Sequence, residues 1–204
     1  MNPGDIDALL FDLGGVLLEI DFARVTHRWA QLAGVDAQGI AGRFTHGEAY
    51  ERHERGEIEA PEYYAALRRE LGIGLTDAQL EEGWNRVFVD SIAPTVALLQ
   101  PLARRVPLHM FSNTNRTHHR HWAQHYARAL APIGRRFLSF EMGSRKPEQE
   151  SFEQVARELG VPPGRILFFD DLPANVEGAQ AVGMPAVRVR SPADVARAVA
   201  PWLG

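Results

Sequence analysis

Ala8-Leu9-Leu10-Phe11-Asp12-Leu13-Gly14-Gly15 is the stretch on which the fold of this chain turns. Four apolar residues that stop at an aspartate and a glycine pair predict a strand buried on both faces and entering a tight turn. Later segments repeat the pattern. Val106 to Phe111 stops at Ser112-Asn113, Phe137 to Phe140 precedes Glu141, Arg165 to Phe169 stops at Asp170-Asp171, and Ala186 to Val189 makes a fifth. Helical spacing fills the intervals: Phe152, Val155, Ala156 and Leu159 run up to Gly160, and Ala174 to Val182 runs up to Gly183. Ser191-Pro192 opens a last helix with a capping hydroxyl and a first-turn proline. Strands alternating with helices predict an α/β fold, a Rossmann-like parallel sheet covered on both faces.

The alternation breaks between Asp21 and Asp90. Asp21 can cap a helix that carries Phe22, Val25, Trp29 and Leu32 on one face and ends at Gly34. Pro61 starts another, with Tyr64, Leu67 and Leu71 ahead of Gly72, and Thr76 with Gln79 forms a capping box before Leu80, Trp84, Val87 and Phe88. The block reads as all-helical. The expected organisation is therefore a catalytic core made of 1–20 and 91–204, with 21–90 inserted as a helical cap.

Composition sets the outer bounds. At roughly 150 residues per domain, a chain of 204 residues falls between one domain and two. Hydrophobic residues make up 45% and charged residues 24%, with 26 Asp and Glu against 22 Lys and Arg. A net charge of −4 offers no polybasic field for nucleic acid or an anionic membrane. Cysteine is absent, which removes disulfides, thiol nucleophiles and Cys-type zinc sites. No apolar run approaches the ~18 residues of a membrane span, and Met1 to Phe11 lacks the pattern of a secretory leader. The expected setting is the cytoplasm; composition leaves the oligomeric state open.

In an open α/β sheet, ligands bind outside the carboxyl ends of the strands. Those ends carry Asp12, Ser112-Asn113 and Asp170-Asp171, and Lys146 follows the third strand in the loop from Gly143 to Pro147. Clustered carboxylates repel one another and need a cation or raised pKa values. Mg²⁺ suits them, since it prefers a few carboxylates with water and phosphate oxygens. With Lys146 and the donors of Ser112 and Asn113 alongside, the set describes a site for a phosphoryl group.

Four segments then carry a resemblance. Phe11-Asp12-Leu13-Gly14-Gly15-Val16-Leu17, Ser112-Asn113-Thr114-Asn115, Arg145-Lys146-Pro147, and Phe168-Phe169-Asp170-Asp171 with Asn175 resemble, in order and spacing, the four motifs of the haloacid dehalogenase-like hydrolases. The insertion after the first motif is where members with a helical cap of the first type carry theirs. Within it, Gly47-Glu48-Ala49, His53 to Ile58 and Gly83-Trp84 are similar to the family's bacterial glucose 1-phosphate phosphatases. The resemblance implies Asp12 as a nucleophile that becomes an aspartyl-phosphate. It implies Asp12, Asp171 and the Gly14 carbonyl as Mg²⁺ ligands, and Asp170 behind them orienting Lys146 or a metal-bound water. Ser112, Asn113 and Lys146 would bind phosphoryl oxygens. The implied activity is hydrolysis of a small phosphorylated metabolite, a sugar phosphate such as glucose 1-phosphate.

One position departs from the pattern. Most phosphatases of the family carry a second aspartate two residues after the nucleophile as general acid and base, and here that residue is Gly14. A leaving group of low basicity, or a cap residue such as Glu48 or His53, would have to compensate. The same glycine keeps two other activities in view: 2-haloacid dehalogenation through Asp12, and phosphate binding without turnover. His118, His121 and His125, at helical spacing, offer either a substrate contact at His118 or a weaker case for a transition-metal site.

Overall fold

The computed structural model describes residues 2–204. β1 (Ala8–Phe11) lies at the centre of a five-stranded sheet, all of whose pairings are parallel. A short antiparallel ribbon joins β2 (Leu18–Ile20) to β3 (Phe88–Ser91). The large sheet has the order β5 (Arg136–Leu138), β4 (Leu108–Ser112), β1, β6 (Ile166–Asp170), β7 (Ala186–Arg188). Successive side chains of a strand face opposite ways, and the sheet sorts its residues accordingly. Leu9, Phe11, Met110, Leu167 and Phe169 enter one core cluster, with Trp122 and Trp202. Ala8, Leu10, Phe111, Ile166 and Phe168 enter the other, with Phe152. Phe11 and Phe169, neighbours across β1 and β6, stack with ring centroids 4.8 Å apart.

The inserted segment builds α1 (Phe22–Ala33), α2 (Ala37–Ala41), α3 (Glu48–Glu54), α4 (Ala60–Leu71) and α5 (Asp77–Trp84). Asp21 accepts a hydrogen bond from the Ala23 N–H at the start of α1, and α1 and α4 end at left-handed Gly34 and Gly72, as the spacing predicts. Their apolar faces close on a separate core of Val25, Trp29, Leu67, Leu80 and Trp84. The remaining helices are α6 (Ala93–Ala103), α7 (Arg116–His125), α8 (Ser139–Met142), α9 (Gln149–Leu159), α10 (Pro173–Ala181) and α11 (Pro192–Leu203). No helix among the described residues is long and apolar enough to cross a membrane.

Two expectations fail locally. The block from Asp21 to Asp90 is not all helix: α5 stops at Trp84, Asn85–Val87 forms a 3₁₀ turn, and Phe88 begins β3. The Leu80, Trp84, Val87, Phe88 spacing reads as one helical stripe, yet it serves two masters. Trp84 and Val87 are buried in the insertion's core, while Phe88 packs against that core and against the sheet's. Of the β2–β3 ribbon, β2 ends at the first expected boundary of the insertion and β3 crosses the second. The strand expected over Phe137 to Phe140 is also shorter, because Ser139 and Phe140 turn into α8.

Gly83 shows how tightly the insertion's core is closed. A Cβ there would collide with the indole of Trp29, which is fully buried and donates from Nε1 to the Leu80 carbonyl at 3.0 Å. Gly83→Ala is expected to lower stability by about 1–3 kcal/mol through overpacking, read as a fall in the thermal unfolding midpoint.

Candidate active site

Register brings the chemical groups together. Phe11 pairs with Met110 on one side and Phe169 on the other, so Asp12, Ser112 and Asp170 emerge at one edge of the sheet. Lys146 enters this edge from the loop after α8 and is 1% exposed. Its Nζ donates to Asp12 Oδ1 at 2.7 Å, Asp170 Oδ2 at 2.7 Å and the Phe111 carbonyl at 3.0 Å. Three donor positions meet three acceptors, which leaves the ammonium saturated. Burial opposes its charge, but Asp12 and Asp170 outweigh burial and hold the amine above its ordinary value.

Asp170 is fully buried and its acceptors are engaged by the protein. Oδ1 accepts from the Leu172 N–H at 2.9 Å and Asn175 Nδ2 at 3.0 Å, and Oδ2 accepts from Lys146 and from Asn175 Nδ2 at 3.1 Å. Asp171 is half-buried and points toward Asp12. One acceptor oxygen from each of the three aspartates falls within 4.8 Å of the others. Burial raises the Asp12 carboxyl, against the pull of Lys146 and with repulsion from Asp170 and Asp171; burial and Asp170 raise Asp171. Three carboxylates against one ammonium leave an excess of negative charge among oxygen donors only, and a hard divalent cation fits that set. Asp12 and Asp171 would hold it, since the oxygens of Asp170 are already taken. The turn beneath requires Gly15: its φ is +73°, and a Cβ would lie 2.6 Å from Asp171 Oδ2.

Asn113 has another task than the one expected of its side chain. Its Nδ2 donates to the Lys146 carbonyl at 2.8 Å and its Oδ1 accepts from the Lys146 N–H at 2.9 Å. The amide clamps the lysine's backbone, and Asn113 still lines the cavity. Ser112 lines the cavity beside Asp12, its hydroxyl resting against the Asn113 carbonyl at 3.3 Å.

A cavity of about 380 Å³ rises from these groups between the sheet edge and the insertion. Glu48 and His53, the expected contributors from the insertion, do not line it. Glu48 is exposed at the start of α3. His53 is buried the other way, its Nδ1 against the Ile58 carbonyl at 3.1 Å and its ring stacked on Tyr63 at 4.6 Å. On the same helix Tyr50 and Glu54, four apart and so on one face, reach the cavity instead. Glu54 is 4% exposed and its Oε2 accepts from Arg145 Nε at 2.9 Å. Burial raises its carboxyl, against the pull of Arg145 and a hydrogen bond from Tyr50. Arg145 also meets Glu51 at 3.2 Å, and Arg55 donates to Glu148 at 2.8 Å, so α3 is pinned to the loop that carries Lys146. Of the segment from His53 to Ile58, Glu54 reaches the cavity and Arg55 ties α3 to Glu148.

Gly14 sits in the cavity floor, and a Cβ on it would come within 2.8 Å of Ile20 Cδ1. The space that a side chain at position 14 would need is filled by an isoleucine. His118, His121 and His125 of α7 form no metal site; among the described residues the metal-competent grouping is the aspartate cluster. His118 lines the cavity, but its Nε2 meets the Trp84 carbonyl at 3.1 Å and its ring stacks on Trp84 at 4.5 Å. His121 and His125 stack on each other at 4.1 Å.

Comparison with known proteins agrees with this geometry. Residues 6–183 match the haloacid dehalogenase-like hydrolase family model. A D-ribitol-5-phosphate phosphatase of Bacteroides thetaiotaomicron is 24% identical over 195 residues, covering 93% of this chain and 94% of its own. A sesquiterpene phosphatase of Aspergillus oryzae is 29% identical over 182 residues, covering 87% and 86%. Among solved structures, a family enzyme of Bacteroides thetaiotaomicron in complex with magnesium and inorganic phosphate superposes with a TM-score of 0.80 at 28% identity, covering 91% of this chain and 94% of that one. The chain belongs to the haloacid dehalogenase-like hydrolases, and it is an enzyme of that hydrolytic family.

The buried His118 makes stability depend on pH. Burial drives its pKa from 6.5 to about 3, so the folded chain keeps the ring neutral where the unfolded chain protonates it. The unfolded state binds the proton first, and stability is lost as pH falls below the unfolded value. At about pH 5 this one site should cost about 2 kcal/mol. His118→Gln is expected to remove that share of the acid sensitivity, measured as the change in denaturant midpoint between neutral pH and about pH 5.

Proposed function

We infer that this hydrolase is a magnesium-dependent phosphatase of small phosphate monoesters that works through an aspartyl-phosphate. The observation that carries the reading is the buried Lys146 held between Asp12 and Asp170, with Asp171 and the cavity opening beside them. Asp12 attacks phosphorus, and the bond from phosphorus to the ester oxygen breaks. The phosphoryl group passes to the Asp12 carboxylate, while the alcohol departs as its oxyanion and takes a proton from water. Mg²⁺ on Asp12, Asp171 and the Gly14 carbonyl would supply charge neutralisation for the transferring phosphoryl oxygens. Lys146 orients Asp12 and faces the same oxygens, and Ser112 offers its hydroxyl. Asp170 fixes the lysine and needs no further partner. The insertion closes the cavity and keeps bulk water from the reacting bond until a water hydrolyses the aspartyl-phosphate.

The alcohol half of the ester is less constrained. A sugar phosphate such as glucose 1-phosphate is supported by the resemblance within the insertion and by the D-ribitol-5-phosphate phosphatase among the relatives. The sesquiterpene phosphatase shows that similarity of the same order extends to a terpenoid alcohol. A cysteine-free chain with a phosphorylated metabolite as substrate fits the cytoplasm. Dehalogenation through Asp12 would give the carboxylate of Asp171 no cation to hold, and a binding protein without turnover would have no use for the pairing of Asp12 with Lys146.

Phosphate release from p-nitrophenyl phosphate and from a panel of metabolite monophosphates, with and without Mg²⁺, tests the reading. Release is expected only with the metal. Asp12→Asn should reduce it to background, and Lys146→Met should cost about 10²- to 10³-fold in kcat. Halide release from a 2-haloacid without Mg²⁺, with no phosphate release, would point to the dehalogenase. Phosphate binding with Mg²⁺ but no turnover would point to the binding protein.

A further inference from the structure

We propose that the substrate is the phosphate monoester of a predominantly apolar alcohol or phenol, held by Ile20, Phe22, Val87, Phe88 and Leu172 of the cavity lining. This rests on the phosphatase reading and specifies the substrate class of the same site.

Three observations converge on it. Beyond the phosphoryl end, those five side chains share the lining with Thr114, His46, Tyr50, Glu54, His118 and Arg145. Among the described residues, the large hydrophobics recorded as exposed are Ile20 at 38%, Val35 at 48% and Leu172 at 53%. Two of these three line the cavity, Ile20 from the ribbon and Leu172 from the turn after β6. An apolar ligand in the cavity would cover these exposed apolar groups.

Four of the cavity's polar side chains, Arg145, Glu54, His118 and Asn175, are, second, engaged with the protein. Arg145 and Glu54 bind each other, and Tyr50 donates to Glu54. His118 Nε2 meets the Trp84 carbonyl, and the amide of Asn175 donates to both oxygens of Asp170. His46 stands within an aromatic group, its ring 4.8 Å from Phe22 and 4.4 Å from Tyr50. A polyol buried here would leave several hydroxyls without partners, which is unfavourable. An alkyl or aryl group needs none.

Third, Gly14 and Ile20 form a matched pair. The absence of a side chain at position 14 lets Ile20 lie over the floor of the site, 2.8 Å from where a Cβ would stand. The position that would carry a proton donor for a basic leaving group is occupied by a methyl. That arrangement suits a phenol best, because its oxygen leaves with little need of protonation.

The test is a chain-length series. With Mg²⁺, kcat/KM for methyl, butyl, hexyl and octyl phosphate should rise about fourfold per added methylene until the cavity is full. Phenyl and naphthyl phosphate should exceed glucose 1-phosphate and ribitol 5-phosphate. Affinity for the matching alkylphosphonates, measured by calorimetry with Mg²⁺, should follow the same trend without requiring turnover. Ile20→Ser and Leu172→Ser change partly exposed side chains and should flatten both slopes. Phosphate release that favours the sugar phosphates, or is flat along the series, overturns the proposal and leaves the phosphatase reading standing. Absence of release from every ester, p-nitrophenyl phosphate included, overturns the phosphatase reading; flat phosphonate affinities would then overturn the proposal as well.

Discussion

The buried ammonium of Lys146 is the constraint around which the molecule is arranged. A cation that is 1% exposed is tolerable only where its donors are met and its charge is balanced. Both conditions hold, and each acceptor lies at the end of a different parallel strand: Asp12 after β1, the Phe111 carbonyl in β4, Asp170 in β6. A small shift of any one strand would leave a buried charge short of a partner. The central sheet register and the chemistry are therefore one requirement. The loop carrying the lysine is fixed just as closely, by the two-way hydrogen bonding of Asn113 to the Lys146 backbone.

From that centre the electrostatics spread outward in order. Asp170, saturated by Lys146, Asn175 and the Leu172 N–H, is a spacer between cation and sheet. Asp12 shares the lysine and keeps a face toward the cavity, while Asp171 has no cation of its own. The unmatched charge lies where a metal and a phosphoryl group would meet. One residue upstream, Arg145 extends into the insertion to Glu54 and Glu51. The same loop thus carries the cation that organises the site and the one that holds α3 over it, so movement of the insertion must alter the surroundings of Lys146.

Much of this was legible from residue order. The strand ends at Asp12, Ser112 and Asp170 are decided locally, by apolar runs that stop at polar turn residues, and they come out where periodicity places them. The aspartate cluster and Lys146 follow once those ends are known to share an edge. Legibility fails where a residue answers to two neighbours. Phe88 continues a helical stripe in sequence but packs between two cores, and becomes a strand. Glu48 and His53 occupy the right helix, but which face meets the cavity depends on how α3 sits against Arg145 and Glu148, residues some ninety positions later. The role of Asn113 is equally nonlocal: nothing near it in sequence shows that its amide will be taken by Lys146.

Gly14 has the largest consequence of these nonlocal effects. In isolation it reads as a loss, a glycine where a phosphatase would keep an acid. Beside Ile20 it reads as an exchange. A side chain at position 14 would meet the terminal methyl of the isoleucine, so a carboxyl there would shift the apolar group from the floor. With glycine the floor is apolar, and the nearest unassigned carboxyl in the cavity, Glu54, is bound by Arg145 and Tyr50. Chemistry and specificity are then set by one contact. A site that gives up protonating a basic alkoxide gains an apolar surface next to the leaving oxygen, and the esters it serves best are those whose alcohol is both apolar and a good leaving group.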